Sequence, residues 1–184
     1  MTPLKYHLVR IRKNNSGSAA VEFSLVATPF IFLLFAMVEV GISMFATQVL
    51  ETGTQDVGRL VMTGQSQNSA TPKTQNGVTE TQEQANTRVS GEFKTALCNK
   101  VSSLFSCAQI VIDVRSFSSA TVVTLPNPTN CQLTNKFDMG GPDDIVVVRV
   151  FYQWPTFATF LNFSNCPDAK RLLISTAAFR NEPF

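Results

Sequence analysis

The run of residues 23–38, FSLVATPFIFLLFAMV, carries no charge and constrains the fold of this chain more than any other feature. It lies in a largely apolar segment from Ser18 to about Phe45, and crossing a bilayer takes about 20 such residues. The segment is apolar on all sides, which favours a membrane helix over a buried core helix. Its only charges are Glu22 and Glu39, so each carboxylate needs a partner or a position at the membrane surface. We expect Glu39, near the outer boundary, to be solvated; the alternative is that it pairs with another helix.

Charges that flank this segment predict its orientation. Lys5, Arg10, Arg12 and Lys13 precede it, and residues 1–17 contain no acid. The positive-inside rule therefore keeps the N-terminus in the cytoplasm and exports the remainder to the periplasm. A cleaved secretory signal is the alternative, but its apolar core would have only about 7–15 residues. Without these four cations 11 basic residues (15 − 4) face 13 acidic ones, which gives no support to a nucleic-acid surface.

Four cysteines lie beyond the membrane segment, at Cys98, Cys107, Cys131 and Cys166. An even number in an exported domain indicates two disulfides, for which three connectivities exist. A zinc site is the alternative, but the chain has no C-x-x-C pair and its one histidine is His7. A 98–107 bridge requires the chain to fold back near Asn99, because nine helical residues span about 13.5 Å and bridged Cα atoms lie about 4.4–6.8 Å apart. We favour 98–107 with 131–166, and the other connectivities remain open.

The organisation along the chain predicts an α+β fold, in which a long N-terminal helix packs on a C-terminal antiparallel sheet. The predicted regions are a basic leader (1–17), a long helix (18–62) with its transmembrane segment at about 18–45, a polar linker or loop (63–84) and a globular periplasmic domain (85–184). A second helix is expected from about Thr79 to Val101, with one apolar face formed by Ala85, Val89, Phe93, Ala96 and Leu97. Alternating or β-branched runs predict strands at 109–117, 121–125, 144–154 and 171–180.

The junction between leader and helix resembles a known family. Gly17 followed by SAAVEF and an apolar helix is similar to class III prepilins and, more closely, to TadE-like proteins of the tight-adherence (Flp) pilus; the C-terminal STAAFRNEPF resembles the tail of that family. The resemblance implies a pilin-like fold and cleavage after Gly17 by a prepilin peptidase, which makes Ser18 the mature N-terminus. It also implies that Glu22 pairs with the N-terminus of a neighbouring subunit and sets the assembly register. The alternative is that Glu22 lies at the level of the lipid headgroups.

The number of residues after the helix distinguishes filament pilins from minor pilins in that system. Filament pilins of this system are very short, whereas about 120 residues follow the helix here, which is typical of a minor pilin or pseudopilin. The resemblance implies partners among other minor pilins (TadF-like), the major Flp pilin, the inner-membrane pilus platform and the prepilin peptidase. It also implies a place in the inner membrane or the surface pilus, with roles in adhesion and biofilm formation. An uncleaved, single-pass, membrane-anchored periplasmic binding module is the alternative, and a tethered periplasmic enzyme is a third.

Catalytic motifs are absent from the sequence. The mature chain would have no histidine, the usual general base, so no enzyme activity, cofactor or metal is expected. The acidic residues Asp138, Asp143 and Asp144 lack EF-hand spacing and are expected to form a solvated turn rather than a Ca²⁺ site. Aromatic residues are concentrated in FYQWPTFATFLNF, 151–163, and most should be core. If some are exposed, we expect Trp154 and Phe157 to contact a partner.

Overall fold

The computed structural model describes residues 17–118, 123–128, 131, 135–157 and 164–183. Its helices are α1 (Ser18–Met62), α2 (Gln65–Ser69) and α3 (Gln82–Val101), with a 3₁₀ turn at Cys107–Gln109. Its strands are β1 (Thr74–Gln75), β2 (Val78–Thr79), β3 (Val111–Phe117), β4 (Ile145–Pro155) and β5 (Lys170–Arg180). A long N-terminal apolar helix followed by an antiparallel sheet confirms the predicted α+β class.

Two compact units divide the chain, and the boundary falls within α1. The first ends at Val40 and the second begins at Gly41. In the first unit the described part is the apolar beginning of α1, which contains Pro29. Because proline cannot donate to the carbonyl four residues earlier, this turn of the helix lacks one main-chain hydrogen bond. Nearby, Ser24 and Thr28 donate their hydroxyls to the carbonyls of Val21 and Ser24, which keeps these polar groups paired within the helix.

The second unit is built on the sheet β3-β4-β5, in which both pairings are antiparallel. Alternation separates its side chains into two faces. The inner face carries mainly aliphatic and aromatic residues, among them Ile112, Val114, Val146, Val148, Val150, Tyr152, Trp154 and Leu173. The outer face carries, among others, Asp113, Arg115, Arg149, Phe151, Ile174, Thr176, Ala178 and Arg180. Strands predicted at 109–117, 144–154 and 171–180 thus lie within two residues of the observed ones; of the strand predicted at 121–125, residues 121–122 lie outside the described residues, and 123–125 are not in a strand.

α3 begins where its sequence provides a complete N-terminal cap. Thr81 accepts a hydrogen bond from the backbone of Gln84 at 3.3 Å, and the Gln84 side chain accepts one from the backbone N–H of Thr81 at 2.8 Å. This reciprocal arrangement satisfies two of the donors that a helix start leaves free. It also explains why α3 begins at Gln82 rather than near Thr79. One face is buried at Ala85, Val89, Phe93, Leu97 and Val101.

The core lies between the inner face, the second part of α1 and α3. It includes Ala46, Leu50, Val57 and Val61 from α1, together with the buried face of α3. Gly53 lets the helices approach closely, since a Cβ at residue 53 would lie 2.7 Å from a methyl carbon of Val101. At Gly58 a Cβ would lie 3.1 Å from the ring of Phe179 on β5. These two glycines therefore position α1 against α3 and the sheet.

Within residues 63–84, for which the sequence predicts a linker or loop, the structure has α2 and a small hairpin. Strands β1 and β2 pair antiparallel through the turn Asn76-Gly77, in which both residues have positive φ, 52° and 77°. Asn-Gly favours this turn because both residues tolerate the left-handed conformation. Arg88 of α3 pairs with Glu80 at 3.1 Å and donates to the carbonyl of Ser69 at 3.1 Å, which fastens this region to α3.

Candidate functional site

The N-terminal end of α1 brings Ser18 and Glu22 together. Gly17 is exposed, and a Cβ built there meets no atom within 4 Å. Ser18 opens the helix, and its hydroxyl donates to a carboxylate oxygen of Glu22 at 2.8 Å. The first-turn N–H groups of a helix lack partners and carry partial positive charge, which favours a carboxylate near that end. Glu22 therefore lies beside the backbone position at which cleavage after Gly17 would create a free amine.

The apolar side chains of α1 up to residue 38 lie on the surface. Large ones range from 44% exposed at Leu34 to 74% at Phe23. The helix is long and apolar enough to cross a membrane, and a membrane-anchoring role accounts for such a surface because lipid would cover it. A soluble protein rarely leaves a contiguous apolar surface of this kind uncovered.

Glu39 is the second carboxylate of this segment, and the expectation that it is solvated is wrong. Only 4% of the residue is exposed. Withdrawing a carboxylate from water costs several kcal/mol unless it is paired or protonated. The position of Glu39 near the end of the apolar run therefore did not predict its burial.

Trp154 and Phe157, predicted as partner contacts, are placed in different environments. Trp154 is 6% exposed, and its ring lies 5.7 Å from Phe105 and 6.2 Å from Tyr152, measured between centroids. A surface role for Trp154 is thus wrong, because it is on the inner face of β4 and fills the core. Phe157 is 68% exposed. The rest of the aromatic stretch, 158–163, lies outside the described residues.

Two disulfides join Cys98 to Cys107 and Cys131 to Cys166, with Cα–Cα distances of 5.7 and 5.6 Å. The first spans the end of α3, where the chain turns back through residues 102–106 before β3. The second joins the segment that follows β3 to the segment that precedes β5. The carbonyl of Cys131 also accepts a hydrogen bond from Gln153 on the outer face at 3.2 Å. This second bridge therefore holds a connecting segment against the outer face of the sheet.

A buried ion cluster, which the sequence did not predict, lies on the same face. Asp113 is fully buried, and it accepts hydrogen bonds from Arg115 at 3.0 Å, from Arg149 at 2.5 Å and from the backbone N–H of Lys136 at 2.9 Å. Burial raises the pKa of Asp113, but these hydrogen bonds together outweigh it and hold the pKa below its usual value. Arg149 also donates to the carbonyl of Pro126 at 2.9 Å. The cluster thus fixes the segment around residue 126 over β4.

The acidic residues of the turn before β4 each have a protein partner. Asp143 pairs with Arg180 at 3.2 Å and Asp138 with Lys136 at 2.9 Å, while Asp144 accepts a hydrogen bond from the N–H of residue 141 at 2.8 Å. Burial raises the pKa of Asp138, and its hydrogen bonds, first that from Lys136, outweigh this effect and lower it. Within the described ranges no group of three potential metal ligands is found.

Asn181, in the C-terminal tail, is a second structural residue that the sequence did not single out. It is 2% exposed, and its side-chain amide donates to the carbonyls of Met139 at 3.0 Å and Gly141 at 2.9 Å. Its backbone N–H donates to the main-chain carbonyl of Asp144 at 2.9 Å. The tail therefore holds the turn before β4 in place. In the sequence, the signal for such a role was the resemblance of this tail to the tail of the family.

A groove of about 570 Å³ lies between α2, the start of α3 and residues 136–140. Side-chain amides of Gln67, Gln82 and Asn86 line it together with Lys136 and Phe137. Gln67 donates to the carbonyl of Met139 at 3.1 Å, whereas its buried carbonyl oxygen has no hydrogen-bond partner among the described residues. The described lining of the groove thus carries side-chain amides together with the charged groups of Lys136 and Asp138.

Comparison with known proteins gives one match. The family model described as TadE-like protein matches residues 17–65, which cover the Gly17–Ser18 junction, Glu22, all of α1 and the first residue of α2. No curated protein and no solved structure matches the chain. The matched segment, about a quarter of the chain, is thus similar to TadE-like proteins, as its resemblance to that family predicted.

Proposed function

We propose that this chain, TadE-like over residues 17–65, is a minor pilin or pseudopilin that takes part in assembling or initiating the tight-adherence pilus. The observation that carries the proposal is the position of Glu22, one turn after Ser18 at the start of an exposed apolar helix. The family is structural rather than enzymatic, so the role proposed is one of assembly. Surface attachment and biofilm formation would be its consequences.

The first step is insertion and processing. The basic leader favours an N-terminus in the cytoplasm, with residues beyond α1 in the periplasm. A prepilin peptidase then cleaves after Gly17, which is exposed in the part of the chain that the structure describes, as access by a protease requires. Both predicted disulfides would form in the periplasm, which is an oxidising compartment.

The second step is pairing of Glu22 in the assembly. A carboxylate in lipid costs about 2.5–3.5 kcal/mol on insertion scales, so a nearby cation would stabilise it. Cleavage supplies one, because the new α-amino group of residue 18 is positively charged near neutral pH. Intermolecular pairing with the amine of a neighbouring subunit would fix the longitudinal register between helices. Other minor pilins, the major pilin and the inner-membrane platform are the proposed partners.

The test of processing is intact mass and N-terminal sequencing of the protein from membranes with and without the prepilin peptidase. We expect a start at Ser18 that depends on the peptidase. An N-terminus at Met1 in both cases would overturn the pilin proposal and favour an uncleaved membrane-anchored binding module. The polar groove beside Gln67 is the observation that would support that second function.

The test of assembly compares Glu22→Gln with Ser24→Ala. Both residues lie in the exposed first part of α1, but the Ser24 hydroxyl donates within its own helix, to the carbonyl of Val21. We expect Glu22→Gln to be cleaved normally and to lose co-purification with the other pilins, whereas Ser24→Ala should retain both properties. Retained co-purification of Glu22→Gln would contradict the role of Glu22 as a register residue.

A further inference from the structure

The main-chain N–H and C=O groups of successive residues in β5 point alternately toward β4 and away from it. Beyond the end of the strand, Asn181 donates its N–H to Asp144 and so continues the ladder with β4. Leu172 and Glu182 instead donate away from β4, to the Asn165 side chain at 2.8 Å and to the carbonyl of Met62 at 2.9 Å. Odd-numbered residues of β5 therefore face β4, and even-numbered ones direct their N–H and C=O groups outward.

Between Leu172 and Glu182, whose outward N–H groups already have partners, four residues direct their main-chain groups outward: Ile174, Thr176, Ala178 and Arg180. Within the described part of the chain, their outward N–H and C=O groups have no main-chain partner. All four residues are exposed. An edge strand with free main-chain groups is a template for pairing with another strand.

Between the basic residues at its two ends, the described strand β5 lacks the charges, prolines and bulges that commonly protect an edge strand. Residues 172–179, LLISTAAF, contain no charge, proline or glycine, and the pairing with β4 continues without a bulge. Arg180 ends the strand, but its guanidinium group is held by Asp143, which adjoins β4. The side chain of Arg180 therefore leaves the free edge open.

Strand β3, at the opposite edge, is already covered at its centre. Val114 donates to the carbonyl of Lys136 at 2.7 Å and accepts from the N–H of Asp138 at 3.0 Å. Of the two edges of the described sheet, β5 is thus the open one. Two copies that join their sheets through these edges must therefore use β5 twice, which produces a symmetric, two-fold contact.

We propose that a second copy of this chain adds its β5 antiparallel to this edge and makes one continuous six-stranded sheet. The open positions lie between Leu172 and Glu182, so the two-fold axis passes at their midpoint, Ala177. Main-chain hydrogen bonds in an antiparallel ladder join outward residues with outward residues. The register then places Thr176 opposite the partner's Ala178 and Ile174 opposite the partner's Arg180.

Side chains and anchoring both favour this contact. On the outer face the facing pairs are Thr with Ala and Ile with the aliphatic stem of Arg, so no like charges are opposed. Anchoring of both copies by α1 in one membrane raises their effective concentration, and a short edge can then suffice. The contact lies outside residues 17–65 and does not depend on cleavage after Gly17.

Thiol cross-linking of the full-length protein in membranes tests the register. All four native cysteines are in disulfides, so an introduced cysteine supplies the only free thiol. Two differently tagged copies, Thr176→Cys and Ala178→Cys, are co-expressed; facing Cβ atoms would lie about 4.5–5.5 Å apart, near enough for a disulfide after small adjustment. The matched control has Ile174→Cys in both copies, which this register separates by about 20 Å.

We expect oxidation to link the Thr176→Cys and Ala178→Cys copies at least about tenfold more than the control, because disulfide formation has a narrow distance range. Equal yields, or no link between the two tagged copies, would overturn the proposal. Capture of a different protein by the introduced thiols in place of the second copy would overturn it as well.

A backbone variant provides an independent arm. Thr176→Pro removes an outward N–H and leaves the ladder with β4 intact, whereas Thr176→Val keeps both the N–H and the branched shape. With Ile174→Cys and Arg180→Cys as reporters, the proline should lower the yield about tenfold and valine less than about twofold. Unchanged linkage in a folded Thr176→Pro protein, judged by tryptophan fluorescence, would contradict pairing through this edge.

Discussion

Replacing Gly53 with alanine tests the close approach of α1 and α3. The added Cβ would lie 2.7 Å from a methyl carbon of Val101 and 3.2 Å from one of Leu97, and both side chains are fully buried. Neither can move without displacing other core residues, and overpacking of this kind costs about 1–3 kcal/mol. The higher helix propensity of alanine relative to glycine offsets about 1 kcal/mol of this cost. We therefore expect a net destabilisation of about 1 kcal/mol.

Gly91→Ala is the matched control, since it makes the same chemical change in the interior of α3. A Cβ at residue 91 meets no atom within 4 Å, so the propensity gain of about 0.5–1 kcal/mol should appear without a packing cost. The two substitutions should thus move stability in opposite directions. Their difference, about 1.5–2 kcal/mol, is larger than either effect alone.

Unfolding of the full-length protein in detergent, followed by fluorescence, measures both variants. Trp154 is the one tryptophan of the chain and is buried beside Phe105, so its emission reports loss of the core. For a chain of this size 1 kcal/mol shifts Tm by about 2–4 °C. We expect Gly53→Ala to lower Tm and Gly91→Ala to raise it. An equal rise in both would refute close packing between α1 and α3.

Four further predictions concern the second unit. Asp113→Asn should destabilise it by about 3–5 kcal/mol, because Arg149 would be left as a buried cation, and denaturant titration against Asp113→Glu measures the loss. The pKa of Asp113 is lower in the folded state than in the unfolded state, so the ionised carboxylate stabilises the fold fully above the unfolded pKa of about 3.9. This stabilisation should be lost as the pH falls through the folded pKa, and unfolding midpoints should therefore fall only in acid. Replacing Cys131 and Cys166 together with serine should lower stability by about 2–4 kcal/mol in non-reducing denaturation. Thr81→Ala should cost about 1 kcal/mol through loss of the α3 cap, and Thr81→Ser should restore it.

Regular elements were predictable where the residues repeat a strong local pattern. β4 and β5 were located within one residue because β-branched runs bounded by turns define them. The buried face of α3 followed from helical periodicity at Val89, Phe93 and Leu97. The hairpin β1–β2 was missed because its strands have two residues each and are polar, although Asn76-Gly77 was a visible turn signal.

Burial was harder to predict, because it depends on contacts between residues far apart in sequence. Trp154 is buried because α3 and the chain after it, including Phe105, cover the inner face of the sheet. Asp113 is buried because the backbone at Pro126 and Lys136 and the side chain of Arg149 converge on the outer face. Alternation along β3 places Asp113 on the face opposite Ile112 and Val114, but a sequence pattern cannot show that a loop covers that face.

The two proposals concern different parts of the chain, and this separation makes each testable alone. Processing and register depend on Gly17, Ser18 and Glu22, which lie in the segment shared with the TadE-like family. Edge pairing depends on β5, in the second unit, where the outer face is covered over β3 and β4 but exposed along Ile174 and Thr176. A chain that is cleaved but does not cross-link through β5 would keep the proposed pilin role and lose only the symmetric sheet contact. A chain that cross-links without being cleaved would instead be a membrane-anchored dimer, for which the pilin role would have to be abandoned.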